Sequence, residues 1–145
     1  MNIPRIDHVG IIVNDLPAVK AFFLDLGFEV QGEGEVEGEW VDRVVALDNV
    51  KGAFAMMRMP GGESTIELVQ FLSPAAEGDM HPHPANTLGI RHIAIAVDDI
   101  DAALARLREH GAEPFNEVQQ YEDMYKLCYV RGPEGIIIEL AEQIG

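Results

Sequence analysis

The chain has 145 residues, with 10 basic and 25 acidic side chains and a formal charge of −15. That length suits one compact domain with a sizeable core. The acidity rules out the basic footprint that nucleic-acid binding needs, and it disfavours an anionic membrane surface.

Apolar residues make up 48%, yet no run approaches the roughly 20 apolar residues of a membrane span. Met1 to Arg5 shows no basic region leading into an apolar stretch, so no signal peptide is expected. Cys128 is alone, which excludes an intrachain disulfide and suits a reducing compartment, so the expected location is the cytoplasm.

In chain order, Ile6 to Val13 is a β-branched run that reads as a strand ending near Asp15. A helix follows: Asp15 caps it, Pro17 sits in its first turn, and Gly27 ends it. Leu16, Val19, Phe22, Phe23 and Leu26 form its apolar face. Strands are predicted near 28–37, 53–59 and 64–71. Glutamate alternates through the first of these, as in an exposed strand with one solvated face. Residues 40–48 are extra length that suits a short helix or a further strand, the helix being preferred. Pro74, Pro82 and Pro84 mark 73–89 as a linker, with His81 and His83 read as surface residues.

The chain then repeats itself. Ile90-Arg91-His92-Ile93-Ala94-Ile95 follows Ile6-Asp7-His8-Val9-Gly10-Ile11 at an offset of 84, which still holds at Gly111 and Gly27. Ile138-Glu139-Leu140 follows Ile66-Glu67-Leu68 at an offset of 72, so the first copy is longer by 12 residues. A second helix is capped by Asp99, turns Ile100, Ala103, Leu104 and Leu107 inward and closes at Gly111. Strands are predicted near 114–120, 126–131 and 136–141. The fold class is therefore α+β: two tandem βαβββ modules, over 1–72 and 90–145, within a single domain spanning 1–145.

Alternate strand residues share a face. His8 thus lies with Gly10 and His92 with Ala94 and Ala96, small neighbours that leave space. Glu67 and Glu139 sit inside apolar strands, where a carboxylate is costly unless it is paired or coordinated. Two histidines and two glutamates at equivalent places point to one shared divalent metal. The donor set accepts Zn, Ni, Co, Mn or Fe alike. Structural zinc more often uses cysteine, so the site reads as catalytic.

With these motifs in order, the chain resembles the vicinal oxygen chelate superfamily, which includes glyoxalase I, bleomycin resistance proteins and extradiol dioxygenases. The likeness runs through Asp7-His8-Val9-Gly10-Ile11, Leu26-Gly27-Phe28, Ile66-Glu67-Leu68, Arg91-His92-Ile93-Ala94-Ile95 and Gly132-Pro133-Glu134-Gly135 before Ile138-Glu139-Leu140. It is greatest to glyoxalase I-like and methylmalonyl-CoA epimerase-like members.

The resemblance implies a curved mixed sheet around a metal held by His8, Glu67, His92 and Glu139. It also implies a lyase or isomerase of the lactoylglutathione lyase type, with proton transfer through a metal-stabilised enediolate. Glu139 is the expected principal base and Glu67 its counterpart. The alternatives are an acyl-CoA epimerase, an extradiol-type dioxygenase and an antibiotic-binding protein. The arginine common on the first strand of glyoxalase I is missing, with Ile11, Ile12 and Val13 in its place. The epimerase-like His-Pro-Lys segment is replaced by Arg131-Gly132-Pro133. Arg43 and Tyr125 are the expected substrate contacts, with Trp40, Tyr121 and Met124 near the opening. A homodimer acting on a small molecule is expected.

Overall fold

The computed structural model describes residues 1–79 and 81–145. They form two compact units, Met1–Asp79 and Met80–Gly145, each with its own mixed sheet. The first unit runs β1 (Val9–Ile12), α1 (Leu16–Asp25), β2 (Glu29–Glu37), α2 (Glu39–Val45), β3 (Lys51–Arg58) and β4 (Thr65–Ser73). Its sheet has the order β1-β4-β3-β2. β1 lies parallel to β4, and the other pairs are antiparallel.

Local chemistry sets these boundaries. Asp15 caps α1 by accepting from Ala18 N at 3.1 Å. Gly27 leaves the helix at φ +102°, a conformation in which a side chain is strained. Leu16, Val19, Phe22 and Phe23 are buried on α1, which packs on β3 and β4. There Met57, Ile66 and Leu68 complete the core. The extra segment is a helix, as expected. Asp42 on α2 accepts from Asn49 N and Val50 N at 3.1 and 2.8 Å, turning the chain back into β3. The acidic run is the edge strand β2. Its glutamates are exposed, and charge on an edge discourages pairing with other chains.

The second unit runs β5 (His92–Ala96), α3 (Ile100–Glu109), β6 (Glu113–Pro114), β7 (Gln119–Tyr121), β8 (Tyr125–Arg131), a 3-10 turn (Pro133–Gly135) and β9 (Ile137–Gln143). The sheet order is β5-β9-β8-β6, and β7 also pairs with β8. Ile100, Leu104 and Leu107 bury the inner face of α3 with Val130, Ile138 and Leu140.

One expectation needs correcting. The strand predicted near 114–120 is two short strands, Glu113–Pro114 and Gln119–Tyr121, each paired with β8. After a last bond from Phe115 N to the Tyr129 carbonyl, 2.8 Å, the chain leaves the sheet and rejoins it at Gln119.

The repeat holds at the level of single hydrogen bonds. Val13 N donates to the Val69 carbonyl at 2.8 Å, and Val97 N to that of Ala141 at 2.9 Å. Leu16 N donates to Gln70 Oε1 at 3.0 Å and Ile100 N to Glu142 Oε1 at 2.8 Å. Asp99 caps α3 through Ala102 N at 3.1 Å, as Asp15 caps α1. Each helix start is thus tied to the last strand of its own module. That strand carries the glutamate.

Candidate metal centre

In the first unit Gly10 stands opposite Glu67 in the parallel β1–β4 register. Ile66 and Leu68 are buried, so strand alternation turns Glu67 away from the helix. His8 immediately precedes β1, two residues from Gly10, and with no side chain at Gly10 it reaches the carboxylate. His8 Nε2 lies 3.5 Å from Glu67 Oε1. The second unit reproduces the arrangement. Ala94 stands opposite Glu139, Ile138 and Leu140 are buried, and His92 Nε2 lies 3.1 Å from Glu139 Oε1. The glutamate side chains are 28% and 19% exposed, so both are half-sheltered but reachable.

The far side of each ring decides what the pair can hold. His8 Nδ1 lies 2.9 Å from Asp7 Oδ2. Its hydrogen bond to His8 holds the Asp7 carboxyl below the usual carboxylate value. A carboxylate only accepts, so Nδ1 carries a proton, and the ring turns its Nε2 towards Glu67. Between Nε2 and the Glu67 carboxylate there is a place for a proton or for a metal ion. This orientation, with Nδ1 held by a carboxylate and Nε2 turned inward, is the usual outer arrangement of a metal-binding histidine. In the second unit Tyr129 takes that place. Its hydroxyl lies 3.5 Å from His92 Nδ1 and its ring centroid 5.0 Å from that of His92. The residue equivalent to Asp7 is Arg91, which donates instead to the carbonyls of Thr87 and Leu88 at 3.1 and 2.8 Å.

Sequence reasoning missed Tyr129 and gave Asp7 no role. The signals were present: Asp7 adjoins His8, and Tyr129 falls opposite Glu139 once β8 and β9 are paired. Arg43 pairs with Glu39 along α2 at 2.9 Å, both side chains being well exposed. Tyr125 is half-buried at the start of β8, opposite Gln143 and Tyr121. Trp40, Tyr121 and Met124 are exposed. In the linker, ligand atoms of Asp79, His81 and His83 lie within 4.8 Å of one another, with Asp79 and His81 exposed and His83 half-buried.

Comparison with known proteins bears on the family and the fold. Residues 7–129 match the sequence pattern described as the Glyoxalase/Bleomycin resistance protein/Dioxygenase superfamily. YaeR of Escherichia coli (strain K12), an uncharacterized protein, is 33% identical over 145 residues, 99% of each chain. The crystal structure of a glyoxalase family protein from Bacillus cereus is 44% identical, with a TM-score of 0.95 over 100% of this chain and 97% of that one. A variant of glyoxalase I from Zea mays shares the fold at 17% identity and a TM-score of 0.70, over 97% of this chain and 47% of its own.

Proposed function

The chain belongs to the glyoxalase/bleomycin resistance protein/dioxygenase superfamily, and from that premise we propose that it is a metal-dependent lyase or isomerase of the glyoxalase I type. Its reaction moves a proton at a carbon next to a carbonyl in a small substrate with two neighbouring oxygens. The observation that carries this reading is the His–Glu pairing made twice in one register, Gly10 opposite Glu67 and Ala94 opposite Glu139. His8, Glu67, His92 and Glu139 would hold one divalent ion, the two pairs coming from one chain or from two. Two nitrogens and two oxygens suit Zn, Ni, Co, Mn or Fe(II). When bound, the ion supplies Lewis-acid polarisation of the substrate oxygens.

The protein's own part is to orient the donors and move the proton. Asp7 and Tyr129 fix the two rings, and the parallel strand pairs fix the carboxylates. Glu139, the more enclosed of the two, is the principal base and Glu67 its counterpart. Tyr125 and Arg43 contact the substrate. Arg43 must leave Glu39 to do so, and an exposed pair of that kind holds by only ~0–1 kcal/mol. The two modules work as one functional domain, and the active form is a homodimer. Each histidine-bearing strand lies at the edge of its sheet, with Ile6 and Ile12 exposed around the first and Ile90 beside the second. Open edges and exposed apolar side chains favour a partner.

The test is turnover of the hemithioacetal of methylglyoxal and a thiol, then of methylmalonyl-CoA, across a metal series without oxygen. Solvent deuterium should enter the substrate carbon, or be excluded by internal transfer. Glu139→Gln should lower turnover by roughly 10²–10⁴ while retaining metal, and Glu67→Gln should lower it less. Turnover that requires oxygen and Fe(II), with no proton exchange, would assign the chain to dioxygenase chemistry instead.

A further inference from the structure

We propose that the cavity where the edge of the second sheet breaks is a binding site for a neutral, flat apolar group, and that Tyr129 couples this site to the His92–Glu139 pair. As a substrate subsite it rests on the enzymatic reading above; as a binding site it stands on its own geometry. Between β6 and β7 the chain leaves β8, and a cavity of about 260 Å³ opens there. Phe115, Leu127 and Tyr129 supply its apolar lining, with Cys128 beside them and the side chains of Asn116, Glu117 and Gln119 at the loop. That volume is below the roughly 300 Å³ at which drug-sized pockets begin. It suits one or two rings rather than a long chain.

The lining is held in place. The Phe115 ring meets Tyr129 edge-on at 5.9 Å and is covered by the Arg131 guanidinium at 4.5 Å. The Cys128 thiol donates to the Asn116 carbonyl at 3.4 Å, and Gln119 Nε2 donates to that of Glu117 at 3.2 Å. Charge decides the ligand class. The lining holds one carboxylate, Glu117, and no cation, while Arg131 lies over Phe115. Glu117 and Arg131 offset one another, so an anion gains nothing for the hydration it loses, and a flat neutral ring that meets Tyr129 and Phe115 is favoured. Tyr129 also faces His92, at 5.0 Å between ring centroids, so it is the one lining residue that also contacts the imidazole, and a ring seated against it acts on His92 through it. The first module differs at the corresponding place. Met56 stands opposite Glu67 where Tyr129 stands opposite Glu139, and β2 follows β3 over nine residues. Selectivity for the group beyond the reacting oxygens thus belongs to the second module.

The experiment is a nuclear magnetic resonance titration of the full chain, stripped of metal by a chelator, with 2-naphthol and separately with 2-naphthalenesulfonate. 2-Naphthol should shift the amide signals of residues 115–119 and 127–129 and the ring signals of His92. The sulfonate should bind at least about tenfold more weakly, and Glu117→Gln should narrow that gap to within about threefold. Tyr129→Leu should weaken 2-naphthol about fivefold and abolish its effect on His92. Shifts centred elsewhere, equal binding of the anion, or no loss in Tyr129→Leu would overturn the proposal. Because the titration needs neither metal nor turnover, 2-naphthol seated in the cavity of a protein that proves inactive would count against the enzymatic reading alone.

Discussion

Replacing Asp7 isolates the orientation of one metal-binding ring from everything else in the fold. Asp7 Oδ2 lies 2.9 Å from His8 Nδ1 with its side chain 74% exposed, so the residue contributes nothing to the core. Asp7→Asn keeps the size but removes the charge and allows the amide to present a donor to the ring. The ring then loses its preference for placing a proton on Nδ1 and leaving Nε2 for the proposed ion. Loss of such a partner lowers metal affinity roughly 10–100-fold. Solvent screening at an exposed pair places this case near the lower end, about tenfold. The assay is competition for Zn or Ni against a chelator of known affinity, with thermal unfolding of the metal-free protein as control. Affinity should fall while the unfolding midpoint stays within about 1 °C. An affinity unchanged within twofold, or a fall matched by loss of apo stability, would refute the account of His8.

Gln70→Ala and Glu142→Ala should each cost about 1 kcal/mol in urea unfolding, because each removes the acceptor at a helix start; no change in either would mean that water replaces the bond without loss. Burial pushes the Cys128 thiol up from its ordinary value, so it should react with a disulfide reagent at pH 8 far more slowly in the folded than in the unfolded chain. The neutral thiol is the form favoured by folding, so its contribution is intact below the unfolded value, ~8.5, and is lost as pH rises above that; stability that instead increases from pH 8 to 10 would contradict this. Sedimentation at micromolar concentration should show a homodimer, and a monomer there would remove that part of the proposal without touching the ligand set.

Much of the fold was legible because the chain states it twice. The offsets of 84 and 72 fixed which strands and helices correspond, and the structure repeats even the Gln70 and Glu142 bonds at the helix starts. Period-two alternation around Ile66-Glu67-Leu68 and Ile138-Glu139-Leu140 placed both carboxylates on the face away from the helices. The break between β6 and β7 was less visible, since residues 115–118 carry no Gly or Pro to mark a turn. Tyr129 was hidden for a different reason. Its role depends on antiparallel pairing with β9, a long-range register that local pattern does not encode. Asp7 adjoins a proposed ligand, His8, in sequence, but its role appears only when the ring orientation is known. Arg43 shows the converse: a cationic residue in an insertion looks like a substrate contact, while i,i+4 spacing on a helix gives it Glu39.

The central claim is that His8, Glu67, His92 and Glu139 hold one ion. Its most direct measurement is metal content by elemental analysis after exhaustive dialysis, in the parent chain and in His8→Ala, His92→Ala and His81→Ala, each shown to be folded. The account predicts one divalent ion per pair of modules in the parent and in His81→Ala, and loss of that ion in His8→Ala and in His92→Ala. A folded parent chain without tightly held metal, or loss in His81→Ala equal to that in the other two, would contradict it.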